Sequence, residues 1–291
     1  MPINADLHCH STASDGDLPP FELIQLAYKS GVDVLALTDH DTVDGYLQLT
    51  QQLQPGESGM QLLAATEISA LWAGRQVHIV GLGVNCSETG FVEALESQKQ
   101  ARWQRAGAIA QRLERIGCAG ATEVLKRTGS RAPNRPDFAQ FLIEKGYVDS
   151  MKQAFKKYLS DSKLGGVTHQ WPEMSIVIEW IRESGGLAIL AHPDAYGLTR
   201  TKLKRLVSDF VDAGGEAMEL AALGQTSQAA DMIERVCIEA GLAASTGSDF
   251  HSSTQGWRKL GVSRSIPASL QPVWDLPVIQ LALGHALRFD G

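Results

Sequence analysis

The stretch NADLHCHSTASDGD, residues 4–17, joins a strand-like apolar run to two histidines at alternate positions and to an aspartate-containing loop. Residues 3–11 are predicted to form a buried β-strand. Because side chains two residues apart on a strand point the same way, His8 and His10 should face one side. Cys9 should face the other side, into the core, and is not counted as a ligand. The stretch therefore predicts a first strand that carries metal-binding chemistry at its carboxyl end.

Six more apolar runs repeat this pattern along the chain. They span residues 32–40, 61–69, 76–84, 186–194, 216–222 and 242–251. Helical patterns lie between many of them, such as PPFELIQLAYKSG, which has prolines at its start and a glycine at its end. The alternation of near-continuous apolar strands with helices predicts a parallel sheet of seven strands covered by helices.

The composition is that of a soluble globular protein: of 291 residues, 44% are hydrophobic and 20% are charged. No apolar run approaches the roughly 20 residues of a membrane span. The first ten residues lack the basic and apolar regions of a secretion signal. Cys9, Cys86, Cys118 and Cys237 are widely scattered and form no CxxC pair. These features predict a protein of the reducing cytoplasm.

Charge divides the chain into an acidic body and a basic middle segment. The net charge of −7 argues against general binding to polyanions. Residues 99–168, however, contain 14 Lys and Arg against 6 Asp and Glu, so this segment carries +8 and the remainder −15. Helices and no strand are predicted there. We therefore predict a barrel domain of residues 1–98 and 166–291, with a basic helical insert over 99–165 between the fourth and fifth strands.

Side chains with metal-binding chemistry gather at the ends of the predicted strands. They are His8, His10, Asp15, His40, Glu67, His78, His192, Asp249 and His251. Ligands bind beyond the carboxyl ends of strands in barrels and open α/β sheets, so these nine side chains are expected to converge. An isolated HxH pair is a weak signal, and Asp41 or Thr42 could serve simply as a helix N-cap. Because six of the eight histidines lie at or beside strand ends, the sequence predicts a multi-metal site.

The motifs DLHCHS, LTDHD, AHP and GSDFH, taken in order with Glu67 and His78, resemble those of the PHP (polymerase and histidinol phosphatase) family of metal-dependent phosphoesterases. The resemblance extends from residue 6 to residue 251. It implies an α/β fold, a distorted (β/α)7 barrel similar to that of the amidohydrolases. It also implies a trinuclear metal site. From its basic charge, the helical insert domain is expected to form a cap over the active site.

Carried over residue by residue, the resemblance assigns ligands to three divalent ions. One ion would take His8, His10, Glu67 and Asp249; a second, bridged by Glu67, would take His78 and His192; a third would take Asp15, His40 and His251. An aspartate stands at position 15 where some members have His or Glu, which favours oxygen-preferring cations at the third position. Mixed imidazole and carboxylate ligation fits Mn²⁺, Zn²⁺ or Fe²⁺. Mn²⁺ is the expected ion, with Mg²⁺ a further alternative.

Within the family, the insert and its Asn134-Arg135-Pro136 turn resemble a stand-alone branch that includes 3′,5′-nucleoside bisphosphate phosphatases and 5′-to-3′ exoribonucleases. That branch implies hydrolysis of the 3′-phosphate of nucleoside 3′,5′-bisphosphates and 5′-to-3′ shortening of short oligonucleotides. Asp137 stands where relatives often have His, so no role is assigned to it. Arg135, in a turn before a helix, could grip the second phosphate through its planar fork, with Asn134 and Lys163 as further contacts.

The expected mechanism is attack on phosphorus by a hydroxide that bridges the two metals linked by Glu67. Clustered cations lower the pKa of bound water from 15.7 toward about 7 and offset charge on the phosphoryl oxygens. Glu67, His192 and Asp249 would therefore be catalytic through the ions that they hold. No side chain identifies itself as the general acid.

Three alternatives remain open from the sequence. One is a phosphatase for another small monoester such as histidinol phosphate, although a cationic amine would favour carboxylates over an insert of charge +8. The others are a polymerase-associated module and a metal-binding regulatory protein without turnover; intact ligand positions argue against the last. We expect a nucleotide or short oligonucleotide substrate, no membrane association and no protein partner.

Overall fold

The computed structural model describes residues 3–55, 58–160, 171–220, 225–254, 258–262 and 264–291. The chain divides into two compact units, one formed by Met1–Ala94 with Pro172–Gly291 and the other by Leu95–Trp171. Every described strand belongs to the first unit. No helix among these residues combines the length and the apolar character needed to cross a bilayer.

Nine strands among the described residues form one sheet in the first unit. They are β1 (Ala5–Cys9), β2 (Val34–Leu37), β3 (Gln54–Pro55), β4 (Met60–Trp72), β5 (Arg75–Leu82), β6 (Leu187–Leu190), β7 (Ala217–Glu219), β8 (Ala243–Ser245) and β9 (Leu287–Phe289). The main order is β1-β2-β4-β5-β6-β7-β8, with β9 pairing to β3 and β4. Leu7 N–H donates to Thr246 O (3.0 Å) and Asp249 N–H donates to His8 O (2.7 Å), so the chain after β8 returns to β1. This closure confirms the predicted distorted seven-stranded barrel.

One strand runs against the expected direction. The pairs within β1-β2-β4 and within β6-β7-β8 are parallel, but β5 is antiparallel to both β4 and β6. The turn between β4 and β5, Ala73-Gly74, has φ of 49° and 72°, as tight hairpin turns require. The prediction of a wholly parallel sheet is therefore wrong at β5, because a two-residue turn joins only antiparallel strands.

Ten α-helices lie among the described residues. They are α1 (Pro20–Lys29), α2 (Asp44–Thr50), α3 (Thr89–Arg115), α4 (Val124–Arg127), α5 (Arg135–Glu144), α6 (Met151–Ala154), α7 (Met174–Glu183), α8 (Arg200–Asp212), α9 (Ser227–Ala240) and α10 (Pro277–Gly284). Helix α1 shows why the sequence forms them. Pro20 occupies the first helical position, where its missing N–H leaves no hydrogen bond unmade. Leu23, Ile24 and Ala27 bury one face of the helix.

The barrel unit has two apolar layers. An inner core contains side chains from all seven barrel strands, among them Leu7, Ala36, Leu63, Val80 and Ile189. An outer core packs α1 and α2 against β1, β2 and β4. Because the inner core draws on every barrel strand, it fills the interior, and inward-facing polar side chains near the strand ends must collect at one rim.

The helical unit has an apolar core of its own. Ala106 and Ile109 of α3 pack there with Phe138 and Phe141 of α5, all of them fully or almost fully buried. A separate core is what distinguishes a compact unit from a long surface loop. The predicted insert, 99–165, falls within this unit.

Candidate metal centre

A break in the pairing of β1 brings two histidines to the inner face: His8 in the strand and His10 directly after it. Leu7 lies in the inner core and Cys9 in the outer core, and the register of β1 on β2 shifts between Asp6 and Cys9. Regular alternation would turn His8 away from the side that Leu7 faces, but a local irregularity of the kind found at β-bulges removes that alternation. His8 and His10 consequently share the inner face, with Nε2 atoms 3.2 Å apart.

Glu67 lies at the centre of the site. It continues the inward-facing positions of β4, and only 1% of it is exposed. Its Oε1 lies 2.8 Å from His78 Nδ1 and 2.7 Å from His192 Nε2. Its Oε2 lies 3.3 Å from the Nε2 atoms of both His8 and His10. Oε2 also lies 3.1 Å from His40 Nδ1. One carboxylate thus faces two sets of histidines through different oxygens, which is the arrangement of a bridging ligand.

The hairpin of β4 and β5 explains how His78 reaches Glu67. His78 is the fourth residue of β5, near the amino end of the strand, and it pairs with Ser69 across the ladder. Because β5 is antiparallel to β4, the beginning of β5 lies beside the carboxyl-terminal half of β4. The reversed strand therefore delivers its histidine to the same rim as the parallel strands.

Asp15 is the centre of a further group. The loop that carries it is held by Asp39, whose Oδ1 accepts a hydrogen bond from Ser11 N–H (2.8 Å) and whose Oδ2 accepts one from Ser11 Oγ (2.7 Å). Asp15 Oδ1 lies 3.5 Å from His251 Nε2, and Asp15 Oδ2 lies 3.8 Å from His40 Nε2. Asp39 therefore holds the loop, while Asp15, His40 and His251 face one another.

Asp41 is not the N-cap of α2. Its side chain accepts a hydrogen bond from Ser69 N–H (2.7 Å), which joins the loop after β2 to β4. The N-cap position belongs to Val43, which makes no side-chain cap, while Thr42 Oγ1 accepts a hydrogen bond from Asp44 N–H (3.0 Å). Thr42, the other N-cap candidate, therefore contacts the first turn of the helix.

The structure gathers all nine predicted metal-binding residues into four overlapping groups. The groups are His10-Asp15-His40-His251, His8-His10-Asp249, His8-Glu67-His192 and His40-Glu67-His78. Within each group, one ligand atom from every member lies within 4.8 Å of the others. Imidazole nitrogens and carboxylate oxygens suit divalent transition ions, so the residues present fit a multi-metal centre. His40 belongs to two groups, so the boundaries between groups are less distinct than the family resemblance implies.

Opposite charges balance inside this cluster. Burial opposes a charge on His10, but hydrogen bonds to Asp249 and Glu67 prevail and raise its pKa to about 10. Burial also opposes a charge on Glu67, while the surrounding imidazoles, with His78 and His40 foremost, hold its pKa well below the usual range. The pKa values of His8, His10 and His192 are all raised. Protons on these three histidines therefore compensate the buried carboxylates, and a metal ion must displace them.

We expect Mn²⁺ binding to release protons and to strengthen as pH rises. Histidine binds metals in its neutral form, and a pKa of about 10 keeps His10 protonated at neutral pH. Raising the pH removes this competing proton, so the apparent dissociation constant should fall from about pH 6.5 to about pH 8.5. Calorimetric titration with Mn²⁺ in pairs of buffers of different ionisation enthalpy measures both the number of protons released and the apparent dissociation constant. An affinity that stays constant over this range would contradict the prediction.

Two of the nine residues have an unusual backbone. His192 has φ of 27° and Asp249 has φ of 49°, in a region that L-residues rarely adopt. Asp249 N–H donates to the His8 carbonyl (2.7 Å), which fixes its conformation against β1. Strain of this kind persists where the surrounding contacts hold it, often at functional sites.

Two residues beside the centre were missed by the sequence analysis. Glu219, at the end of β7, accepts hydrogen bonds from His8 Nδ1 (2.7 Å) and from His192 N–H (2.6 Å). Tyr196 accepts one from His78 N–H (2.9 Å) through its hydroxyl. The signal for Glu219 was a carboxylate at the end of an apolar strand. Nothing in the sequence around Tyr196 indicated its contact.

Arg258 forms an ion pair with Asp249 at the rim of the centre. Its Nη1 also donates to the Asp249 carbonyl (3.0 Å). The ion pair engages Oδ2 of Asp249, while Oδ1 lies 3.6 Å from His8 Nε2 and 3.4 Å from His10 Nε2. Arg258 thereby orients one oxygen of Asp249 toward the histidines.

The predicted substrate-binding residues lie in the helical unit. Asn134 is the N-cap of α5, with its side chain accepting from Asp137 N–H in a capping box, and its Oδ1 also accepts from Arg102 Nη1 (2.7 Å). Arg135 is the first residue of α5 and is half-buried. Lys163 lies outside the described residues. The oxygen of Asn134 is therefore used within the protein, and a contact with substrate would fall to its amide nitrogen.

Gly247 is required by the packing around His8. A Cβ at this position would lie 2.3 Å from His8 Cβ and 2.7 Å from His8 N. We expect Gly247→Ala to lower the free energy of unfolding by about 1–3 kcal/mol. Gly107→Ala is the matched control, because nothing lies within 4 Å of a Cβ there, and alanine in helix α3 should stabilise by about 0.5–1 kcal/mol. Urea denaturation measures both, and equal effects would contradict the prediction.

Comparison with known proteins gives consistent results. A family model described as the PHP domain matches residues 6–125. The chain is 41% identical over 270 residues to a 5′-3′ exoribonuclease of Haemophilus influenzae, covering 93% of this chain and 97% of the relative. It is 37% identical over 276 residues to a 3′,5′-nucleoside bisphosphate phosphatase of Chromobacterium violaceum, covering 93% and 95%. An amidohydrolase from Chromobacterium violaceum, solved with bound sulfate and no metal, has a TM-score of 0.86 at 34% identity over 98% of both chains.

The two curated relatives are named as enzymes that cleave phosphate esters, and they match this chain over almost its full length. The family model begins at Asp6, two residues before His8. The motifs in the sequence, the barrel and the relatives all lead to the same conclusion. This chain belongs to the PHP family of phosphoesterases, in the branch that contains nucleoside bisphosphate phosphatases and 5′-3′ exoribonucleases.

Proposed function

We propose that this enzyme hydrolyses the 3′-phosphate of nucleoside 3′,5′-bisphosphates, for example adenosine 3′,5′-bisphosphate to AMP and phosphate. The observation that carries the proposal is the convergence of nine imidazole and carboxylate side chains, Glu67 among them, in four overlapping groups. Full-length similarity to a 3′,5′-nucleoside bisphosphate phosphatase supports the substrate class. Similarity to a 5′-3′ exoribonuclease supports a second activity, the shortening of oligonucleotides from the 5′ end.

Phosphate ester hydrolysis requires positive charge around an anionic phosphorus centre. Divalent ions, with Mn²⁺ preferred and three as the proposed number, would supply charge that neutralises the phosphoryl oxygens and promotes ionisation of the attacking water. The nine residues of the four groups would hold these ions. Glu67 presents its two oxygens to different sets of histidines, and Arg258 orients Asp249, so the chain itself fixes the positions at which charge is supplied.

The second phosphate is assigned to the basic insert because of its charge and chemistry. Residues 99–168 carry +8 in a chain whose remainder carries −15. Arg135 would bind the 5′-phosphate through its planar guanidinium, assisted by the amide nitrogen of Asn134 and by Lys163. The same charge disfavours the alternative substrate histidinol phosphate, whose amine is cationic.

Phosphate release from three nucleotides tests the proposed function. Adenosine 3′,5′-bisphosphate should be hydrolysed fastest, because it offers both a 3′-phosphate to cleave and a 5′-phosphate to bind. 3′-AMP retains the scissile group only and should be slower, whereas 5′-AMP should be inert. Assays use chelated protein resupplied with Mn²⁺. Equal rates on 3′-AMP and the bisphosphate would contradict a role for the second phosphate.

Replacing Arg135 by alanine should separate the two phosphates. A charge-assisted hydrogen bond contributes about 1.5–3 kcal/mol, so kcat/KM on the bisphosphate should fall about 10–100-fold. The rate on 3′-AMP should change little, because that substrate has no 5′-phosphate. Arg112→Ala, at an exposed position of α3, is the matched control. Unchanged kinetics on the bisphosphate would remove Arg135 from the binding site.

A further inference from the structure

Glu219 forms hydrogen bonds with two of the candidate metal ligands, His8 and His192. It ends β7 and is 5% exposed. Its Oε1 lies 2.7 Å from His8 Nδ1, and its Oε2 accepts the His192 N–H at 2.6 Å. His8 and His192 come from strands at different places in the barrel, yet one buried carboxylate contacts both.

We propose that Glu219 is a positioning residue that fixes His8 with Nε2 available for metal and ties it to His192. This proposal deepens the proposed function, because it concerns the same metal centre. A carboxylate contributes two acceptors and no donor when ionised, so the Nδ1 of His8 that faces it must carry the proton. In neutral His8 the lone pair then lies on Nε2, the nitrogen that a metal would bind.

The surroundings of His8 Nε2 fit this assignment. Nε2 lies 3.3 Å from Glu67 Oε2, 3.2 Å from His10 Nε2 and 3.6 Å from Asp249 Oδ1. It therefore faces the candidate ligands, while Nδ1 faces Glu219. If the tautomer were reversed, Nε2 would carry the proton and could not bind a metal, and Nδ1 would present its lone pair to a carboxylate.

The second contact of Glu219 acts on the backbone of His192. His192 has φ of 27°, an unfavourable conformation for an L-residue. Its N–H donates to Glu219 Oε2, and its Nε2 lies 2.7 Å from Glu67 Oε1. The hydrogen bond from the N–H holds the strained backbone, and this conformation directs the imidazole toward Glu67. Glu219 consequently sets the positions of two ligands that face opposite oxygens of Glu67.

Glutamine cannot replace Glu219, although it has almost the same shape. An amide offers one acceptor and one donor group. If its oxygen faces His8, its NH₂ group meets the His192 N–H, and two donors oppose each other. If the amide is flipped, its NH₂ group faces His8 Nδ1 and favours the tautomer with the proton on Nε2, which blocks metal binding. Either orientation therefore disturbs one of the two ligands.

Calorimetric titration of chelated protein with Mn²⁺ tests the proposal without any substrate. We expect Glu219→Gln to weaken Mn²⁺ binding about 10–100-fold. Glu219→Asp keeps two acceptors on a shorter side chain and should recover part of the affinity. Glu216→Gln, at an exposed position preceding the same strand, should bind like the wild type. If folded Glu219→Gln binds Mn²⁺ within about twofold of the wild type, the proposal is wrong.

The tautomer of His8 provides an independent readout that a general packing role would not change. Long-range ¹H–¹⁵N correlation spectra of the Zn²⁺-loaded wild type should show His8 protonated on Nδ1, with the signal assigned by its loss in His8→Gln. A wild-type spectrum with the proton on Nε2 would overturn the proposal even if Glu219→Gln fails to fold. Neither the Mn²⁺ titration nor the spectrum of His8 uses a nucleotide. Their outcome is therefore independent of the bisphosphate assay, which tests the proposed function.

Discussion

Glu67→Gln is expected to reduce phosphate release from the bisphosphate by about 10³-fold or more. Glu67 is almost completely buried, and its two oxygens face different sets of histidines. Glutamine retains one acceptor oxygen, replaces the other with an NH₂ group and removes the negative charge. A bridging ligand would be lost, and metal ions supply several kcal/mol of charge stabilisation to the transition state; about 4 kcal/mol corresponds to about 10³-fold.

The same variant should also show a change in the metal-free protein. His10, with a pKa raised to about 10, uses Glu67 as one of its partners, so the substitution leaves buried imidazolium charge poorly compensated. Circular dichroism and urea denaturation should show a folded protein of lower stability, and elemental analysis should show fewer bound ions. Glu93→Gln, at an exposed position of α3, is the control. A Glu67→Gln enzyme of wild-type rate and metal content would contradict the bridging role.

Removing the metal ions should abolish hydrolysis, and Mn²⁺ should restore it. Without metal ions, the carboxylates and imidazoles of the centre are balanced by protons. Protons cannot polarise a phosphoryl group as divalent ions do. We expect exhaustive chelation to lower phosphate release to the background, and reconstitution to recover it with three ions per chain by elemental analysis. Full activity in protein that retains almost no metal would exclude a metal-dependent mechanism.

Metal binding should also stabilise the fold. A ligand at about 100 times its dissociation constant adds about 2.7 kcal/mol to the free energy of unfolding. For a barrel unit of this size, that corresponds to an increase in Tm of about 5–10 °C. Differential scanning calorimetry of the chelated protein, with and without Mn²⁺, measures the shift. Because Gly247→Ala displaces His8, that variant should show a smaller increase, which connects the packing of the site to its affinity for metal.

The convergence of the nine side chains was predictable because it follows from local rules. Alternation along a strand places His8 and His10 together and turns Cys9 away, although the irregularity that brings both to the inner face, beside Leu7, was not predicted. Functional groups in α/β barrels collect at one end of the strands, so Glu67, His192 and the residues of the GSDFH motif were expected to meet. The structure brings these residues together, and the family resemblance rested on the same motifs.

The direction of β5 was not predictable from its own residues. An apolar run of four to eight residues has the same pattern in a parallel and an antiparallel strand. The decisive feature is the Ala73-Gly74 turn, with positive φ at both positions, which closes a hairpin. His78 therefore reaches the rim from the amino-terminal part of its strand. The sequence predicted His78 as a metal-binding residue, but it predicted the wrong direction for the strand that carries it.

The contacts of Glu219 and Arg258 with the metal centre could not be predicted from sequence patterns. Glu219 meets His8 across 211 residues of sequence, and its strand, read alone, is an apolar run that ends in a carboxylate. Arg258 pairs with Asp249 from a position outside the GSDFH motif. Neither contact has a local spacing that would reveal it.

The sequence by itself determined which side chains carry the chemistry of this protein, because residue type and strand periodicity are local properties. The tertiary structure decided how those side chains are grouped, which oxygen of Glu67 faces which histidine, and which nitrogen of His8 faces Glu219. These relations depend on distances of a few ångströms between strands that are far apart in the chain. Only the closure of the barrel, with one strand reversed, fixes such distances.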